Sequence, residues 1–252
     1  MHVSRWFSER FNPLLATLDG RVQRHRVNPR ILVSEAQRFV FYRIPKAGHS
    51  TVGHSVLHHD PSVSDAERAA LEAAGEKIGV YLHPRQIGVR RSRAAWRHYF
   101  LFTFVRNPFH RTLSAYLDKI VRDRPPAEKN LGAARTEEGT AIGFAEFLER
   151  LEAGALYHGP HWAPQVALLP RDRSRLDFVG RLERIDNDLP ALLQRLFSVH
   201  DVEVRNWDVH RTGSGTQLER YYDAAAVDRV RALFHEDFAA FGYSTDPERA
   251  LD

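Results

Sequence analysis

Apolar residues along this chain form two kinds of run: short unbroken ones and longer ones with helical spacing. Arg38 to Ile44 (RFVFYRI) and Tyr99 to Val105 (YFLFTFV) are dense in aromatic and β-branched residues, the composition of strands buried on both faces. Leu176 to Gly180 (LDFVG) is a shorter strand candidate. Between and after them the period changes. Leu113, Tyr116, Leu117 and Ile120 recur behind Pro108, which suits the first turn of a helix. Phe144, Phe147, Leu148 and Leu151 predict another helix, and Val227, Val230, Leu233, Phe234 and Phe238 predict a final one from about Asp223. A helix starts over Val52 to Leu57, and a further one lies near 188–198. Ser64-Asp65-Ala66-Glu67 is a capping-box pattern that opens an Ala-rich helix reaching about Lys77. Residues 122–139 are polar, contain Pro125-Pro126 and read as a loop.

Strands alternating with helices predict an α/β fold with a mainly parallel central sheet flanked by helices. No internal repeat or low-complexity tract divides the chain, so a single domain is expected over 1–252. Its core runs from about 31 to 244, behind a basic lead-in over 1–30 that carries Arg21, Arg24, His25, Arg26 and Arg30.

Composition then excludes several classes. With 43% hydrophobic and 11% aromatic residues over 252 positions, the chain can bury a substantial core and is not disordered. It has no cysteine, which removes disulfides, thiol nucleophiles and cysteine-ligated metal centres. The longest apolar run, Tyr99 to Val105, is far short of the roughly 20 residues a spanning helix needs. The amino terminus carries charges where a signal peptide is apolar, so a soluble, cytoplasmic protein without membrane insertion is the expectation. The net charge of +4 suits a small anionic ligand and equally a protein that tolerates polyanions. Only four of the 36 basic residues are lysine: Lys46, Lys77, Lys119 and Lys129. In so arginine-rich a chain, a lysine points to a local need for a compact charge.

The first strand candidate runs into Pro45 and then Lys46-Ala47-Gly48-His49-Ser50-Thr51, followed by the helix at Val52. A strand, a loop of small residues and a helix supply converging backbone N–H groups, a glycine, two hydroxyls and an ammonium, the set a tetrahedral anion needs. No G-x-x-x-x-G-K-[ST] sequence occurs, which weighs against an ATPase or GTPase. Alone, this segment also reads as an ordinary turn in which Ser50 or Thr51 caps the helix. The second strand candidate ends in FTFVRNPFHRTLSAY over 102–116. There Arg106 at the strand end can grip a phosphate in bidentate fashion, and Ser114, two turns into the helix, can add a hydroxyl.

Together the two segments resemble the carbohydrate-type sulfotransferases. FYRIPKAGHSTV resembles the family's 5′-phosphosulfate loop, and VRNPFHRTLSAY its 3′-phosphate site with the eight-residue offset from Arg106 to Ser114. His161-Trp162-Ala163-Pro164-Gln165, Asp177-Phe178-Val179-Gly180-Arg181-Leu182-Glu183 and the ending HEDFAAFGYS extend the resemblance over roughly 31–244. It implies a P-loop-like three-layer sandwich and transfer of a sulfuryl group from 3′-phosphoadenosine-5′-phosphosulfate (PAPS) to a hydroxyl acceptor, with 3′,5′-ADP released and no metal required. A carbohydrate or glycoconjugate acceptor is favoured; polysaccharide, glycolipid, natural product and peptide tyrosine all stay open. His49 departs from the family, where a small or hydroxyl residue is usual. The lack of the animal enzymes' Golgi anchor implies a bacterial-type soluble member.

On this resemblance Lys46 stabilises the bridging oxygen as the S–O bond breaks, and Lys46 with Ala47, Gly48, His49, Ser50 and Thr51 cradles the phosphosulfate. Arg106 and Ser114 hold the 3′-phosphate. Arg211, in a basic Thr-Gly-Ser-Gly segment, reads either as folding over the nucleotide or as part of a plain surface loop. Arg43 resembles a position that contacts the anionic acceptor in heparan-type relatives, and it also reads as an arginine paired with an acidic neighbour beside the strand. His83 is favoured as general base, with His161 second as a base and otherwise lining the acceptor pocket. His58-His59-Asp60 invites a metal reading, but neighbours on a helix do not share a face. Two competitors remain: a P-loop-like ATP-dependent kinase, and a non-catalytic basic module that binds nucleic acid or other polyanions.

Overall fold

The computed structural model describes residues 10–74, 78–122, 131, 136, 139–199 and 217–250. Four strands form one sheet in the order β1 (Ile31–Ser34), β2 (Phe39–Tyr42), β3 (Phe100–Val105) and β4 (Phe178–Arg181). β1 pairs antiparallel with β2, whereas β2–β3 and β3–β4 are parallel, in registers that set Phe39 opposite Phe100 and Phe102 opposite Phe178. The mainly parallel sheet expected from the sequence is present. β1 is the strand that the pattern did not signal, being four apolar or small residues that follow Pro29 and Arg30 directly.

Side-chain alternation along each strand creates two cores. Leu32, Phe39, Phe41, Phe102 and Phe104 point to one face. There α1 (His49–His59) contributes Val52, Val56 and Leu57, and the helix Ile185–Phe197 contributes Leu189, Leu192 and Leu193. Phe41 and Phe102 stack across β2 and β3 with centroids 4.6 Å apart. Ile31, Val33, Val40, Tyr42, Leu101 and Val105 point the other way, into a larger cluster.

α2 (Asp65–Ala73) opens with the anticipated box, in which the Ser64 backbone N–H donates to Glu67 Oε2 at 2.9 Å. α3 (Pro84–His98) is a helical segment kinked at Gly88, where φ is 71° and ψ 177°, and the periodicity did not predict it because Arg90, Arg91, Arg93 and Arg97 break its apolar pattern. α4 (Pro108–Tyr116) is buried along its whole length and passes into a π-helical turn, Leu117–Val121. α5 (Phe144–Glu152), α6 (Ile185–Phe197), α7 (Ala224–Leu233) and α8 (His235–Phe241) complete the layers. The single closing helix expected from the sequence is thus two, parted at Phe234, whose backbone leaves the helical region. The basic segment before residue 31 also packs inward: Leu14, Leu15, Leu18, Val22 and Val27 are all at most 1% exposed. Among the described residues no helix is long and apolar enough to cross a membrane.

Candidate active site

β2, β3 and β4 run parallel, so their carboxyl ends open on the same edge of the sheet, where open α/β folds carry their ligand sites. The residues beyond β2 turn sharply. Lys46 adopts φ of 68° and Gly48 of 72°, both left-handed. A non-glycine residue there is held against its preference by its surroundings. At Gly48 a Cβ atom would lie 2.7 Å from Leu182 Cδ1, so a side chain there would have to displace Leu182 as well as adopt the left-handed backbone. Ala47 packs into the core, which leaves Lys46 and the start of α1 to face the site. No side chain caps α1. The first-turn N–H groups of His49, Ser50 and Thr51 therefore stand free of intrahelical partners at the positive end of the helix, as anion binding requires.

Arg106 directly follows β3, and its turn meets the first one. The Arg106 guanidinium donates to the Lys46 carbonyl at 3.3 Å. Gln165 clamps the Arg106 backbone from both sides: its Oε1 accepts from Arg106 N–H at 2.9 Å and its Nε2 donates to Arg106 O at 2.8 Å. Asp237, buried on α8, in turn accepts the N–H groups of Gln165 and Val166 at 2.8 and 3.0 Å. Asn107 caps α4 by accepting from Phe109 N–H, and its own N–H donates to Glu183 Oε1 at 2.7 Å. Tyr243 donates to the other oxygen of Glu183 at 3.0 Å. Ser114 lies on α4 at 3% exposure. Burial pushes the Arg106 guanidinium below its ordinary pKa, although Glu183 and Tyr243 oppose the shift.

Arg111 binds the site together. It is 1% exposed and donates to three carbonyls: Pro45 at 3.1 Å, Ala163 at 2.8 Å and Pro160 at 3.1 Å. One planar fork therefore fixes the residue before Lys46 and both flanks of His161-Trp162. Burial lowers its pKa to about 10. The Lys46 ammonium lies 3.0 Å from Asp118 Oδ2, and Lys119 lies 3.2 Å from the same oxygen. Burial lowers the Lys46 pKa to about 8, against the opposing pull of Asp118.

A second group of basic side chains gathers beside Lys46, at the carboxyl end of β2. The Arg43 N–H donates to the Arg30 carbonyl at 2.8 Å. Among the described residues neither guanidinium reaches a carboxylate, and both Nε atoms are buried without an acceptor. Burial, then Arg30, brings Arg43 down to about 10. Burial first, followed by Arg43, Arg30, His161 and Lys46, holds His49 well below the usual histidine value. His161, with Nδ1 buried and unpartnered, falls to about 2, through burial and then the surrounding cations. Orphaned polar atoms and mutually depressed cations gathered at one place suit an anionic ligand.

His83 caps α3, and its Nδ1 lies 3.0 Å from the Ile31 carbonyl, next to Arg30. A carbonyl only accepts, so Nδ1 is the protonated nitrogen, which in the neutral ring leaves the lone pair on Nε2. Arg211 lies outside the described residues. At His58-His59-Asp60 the groups have structural work: His59 Nδ1 contacts the Ser55 carbonyl at 2.8 Å, and Asp60 accepts from Tyr81 and Ser62.

The structure thus brings Arg43, Lys46, His49, Arg106 and His161 to one edge, with His83 beside them at the start of β1. Sequence reasoning gave no individual role to Arg111, Asp118, Lys119, Glu183 or Asp237. Arg111 stood inside the quoted 102–116 segment, and Lys119 was among the scarce lysines. Gln165, Glu183 and Asp237 stood inside the further segments of the resemblance, and only Asp118 carried no signal until the chain folded back on itself.

Comparison with known proteins agrees with this geometry. A model of the sulfotransferase family matches residues 29–244. The chain is 30% identical over 185 residues to carbohydrate sulfotransferase 14 of Homo sapiens, covering 68% of this chain and 48% of that protein. It is 26% identical over 247 residues to carbohydrate sulfotransferase 14 of Danio rerio, covering 88% and 64%. To carbohydrate sulfotransferase 10 of Xenopus laevis it is 25% identical over 241 residues, covering 85% and 67%. The chain therefore spans between about half and two thirds of the length of these relatives. No solved structure matches it.

Proposed function

We propose an activity from a plain premise: the chain belongs to the sulfotransferase family. It transfers the sulfuryl group of PAPS to a hydroxyl, on a carbohydrate or glycoconjugate, and releases 3′,5′-ADP. The fold is of the P-loop-like kind, with the phosphosulfate on the turn after β2 and the 3′-phosphate on the turn after β3. The observation that carries this reading is the 3.3 Å contact from the Arg106 guanidinium to the Lys46 carbonyl, because one nucleotide can then touch both turns.

The acceptor oxygen attacks sulfur in line, the bond from sulfur to the bridging oxygen breaks, and its electron pair stays with the 5′-phosphate. Lys46 meets the charge that grows on that oxygen, an interaction stronger in the transition state than before it. The first-turn N–H groups of α1 and the hydroxyls of Ser50 and Thr51 hold the non-bridging oxygens. Arg106 and Ser114 fix the 3′-phosphate, and Gln165 and Asp237 keep Arg106 in place. His83 Nε2 takes the acceptor proton, with the ring oriented by the Ile31 carbonyl. His161, depressed to about 2, is too weak a base for that task and lines the acceptor pocket with Arg43.

Calorimetry tests the reading. The chain binds 3′,5′-ADP without magnesium, binds 5′-ADP and ATP more weakly, and loses affinity in Arg106→Ala. Equal or tighter binding of 5′-ADP would overturn it. A screen of hydroxyl acceptors that follows release of 3′,5′-ADP then identifies the acceptor, and His83→Ala suppresses that release while leaving nucleotide affinity intact.

A further inference from the structure

We infer that Asp118 is a positioning residue of the donor site: its carboxylate holds the Lys46 ammonium charged and aimed before the donor arrives, and draws in Lys119 as a second cation for the same phosphosulfate. The inference rests on the sulfotransferase reading above.

Geometry carries it first. Lys46 and Lys119 converge on one oxygen, Asp118 Oδ2, at 3.0 and 3.2 Å, with side-chain exposures of 8% for Lys46, 6% for Asp118 and 11% for Lys119. Two of the four lysines in an arginine-rich chain meet there. Asp118 and Lys119 both lie in the π-helical turn Leu117–Val121, directly behind the helix that carries Ser114. A π-turn inserts a residue into a helix, re-aims the side chains around it, and recurs at functional sites. Lys46 itself is held in a left-handed conformation that a free lysine avoids.

Electrostatics explains why a carboxylate belongs beside an anion site. Burial, and the nearness of Lys119 and Arg106, drive Lys46 toward its neutral form, and Asp118 opposes them. A neutral amine gives the leaving oxygen no charge. Two ammonium groups around one carboxylate still sum to a positive charge, so the incoming donor is attracted rather than repelled. When the phosphosulfate binds, its oxygens share the two ammoniums with Asp118, and the growing charge on the bridging oxygen draws Lys46 further.

The test reads Lys46 directly. The full chain is labelled on the lysine side chains, the Lys46 signal is identified by its loss in Lys46→Met, and its titration is followed by NMR. Asp118→Asn moves the Lys46 midpoint from about 8 to lower pH, by about one unit or more. Lys119→Met moves it to higher pH, because a like charge has gone. Asp118→Glu restores the wild-type midpoint. The pH at which 3′,5′-ADP affinity falls, read by calorimetry, follows the same order.

A packing role alone would weaken affinity at every pH and leave both midpoints where they were, and that result overturns the inference. So do shifts in the same direction for both variants. If Asp118→Asn does not fold, Lys119→Met decides: an upward shift supports the inference, and an unchanged or lower midpoint overturns it. A wild-type chain whose Lys46 titrates as described but which never binds 3′,5′-ADP overturns the donor reading instead.

Discussion

Two groups of cations lie side by side at the carboxyl end of the sheet, and they are held in opposite ways. Around Lys46 the protein supplies its own counter-charge, Asp118, at 3.0 Å. Around Arg30 and Arg43, among the described residues, it supplies none. Near Lys46 a depressed but still cationic ammonium results, at about 8. In the other group Arg43 is depressed to about 10, and the neighbouring His161 to about 2. A cation that must act at a defined atom benefits from a fixed internal partner. A group without one stays strained until a ligand brings the anion.

The largest expected effect comes from removing the paired cation. Lys46→Ala lowers the rate of 3′,5′-ADP release by about 10²–10³, the scale for losing one donor to a developing oxyanion. A residual loss below tenfold would mean that the internal pair does not serve the reaction.

Next comes the residue that joins the two groups. Arg111→Ala strands the carbonyls of Pro45, Pro160 and Ala163, so denaturant unfolding should show a loss of about 3 kcal/mol or more. Because the lesion touches both groups, 3′,5′-ADP affinity falls with stability. Unchanged affinity would show that the two sides are held independently.

His161 reports on the group without an internal anion. Its folded pKa of about 2 lies below the unfolded value near 6.5. The unfolded chain therefore binds this proton first as the pH drops, and stability attributable to His161 is present above pH 6.5 and lost below it. The slope is roughly 1.4 kcal/mol per pH unit. Between pH 6.5 and 4.5, His161→Gln should therefore spare the protein about 2–3 kcal/mol of the acid loss seen in the wild type. Parallel acid limbs for the two proteins would remove His161 from the depressed set.

The smallest effect sharpens the contrast. Arg30→Gln relieves one guanidinium of its neighbour and should raise the unfolding midpoint in the absence of ligand, by under about 1 kcal/mol. A loss of stability would reveal a counter-charge at Arg30 after all.

Much of this arrangement was legible in the chain. The unbroken runs at Arg38–Ile44 and Tyr99–Val105 became β2 and β3 because aromatic and β-branched side chains on both faces need cover on both faces. The segments that follow them announced their donor types at once. β1 and α3 went unread for a physical reason: a four-residue strand has too few positions to show a period, and α3 hides one behind its arginines. The same reason made the early basic segment look detached, although Leu14 and Leu15 are wholly buried.

Local order along the chain decided which donors each turn presents: a lysine after a proline at a strand end, an arginine at the next, a serine two turns on. Residue type and short-range spacing suffice for that, since they set the donors a segment can offer. Tertiary structure decided what each is held by. Asp118 lies 72 positions from Lys46, Asp237 lies 72 from Gln165, and Arg111 reaches from 45 to 163. Charge and hydrogen-bond strength depend on distance and burial, and neither exists until the sheet edges are brought together.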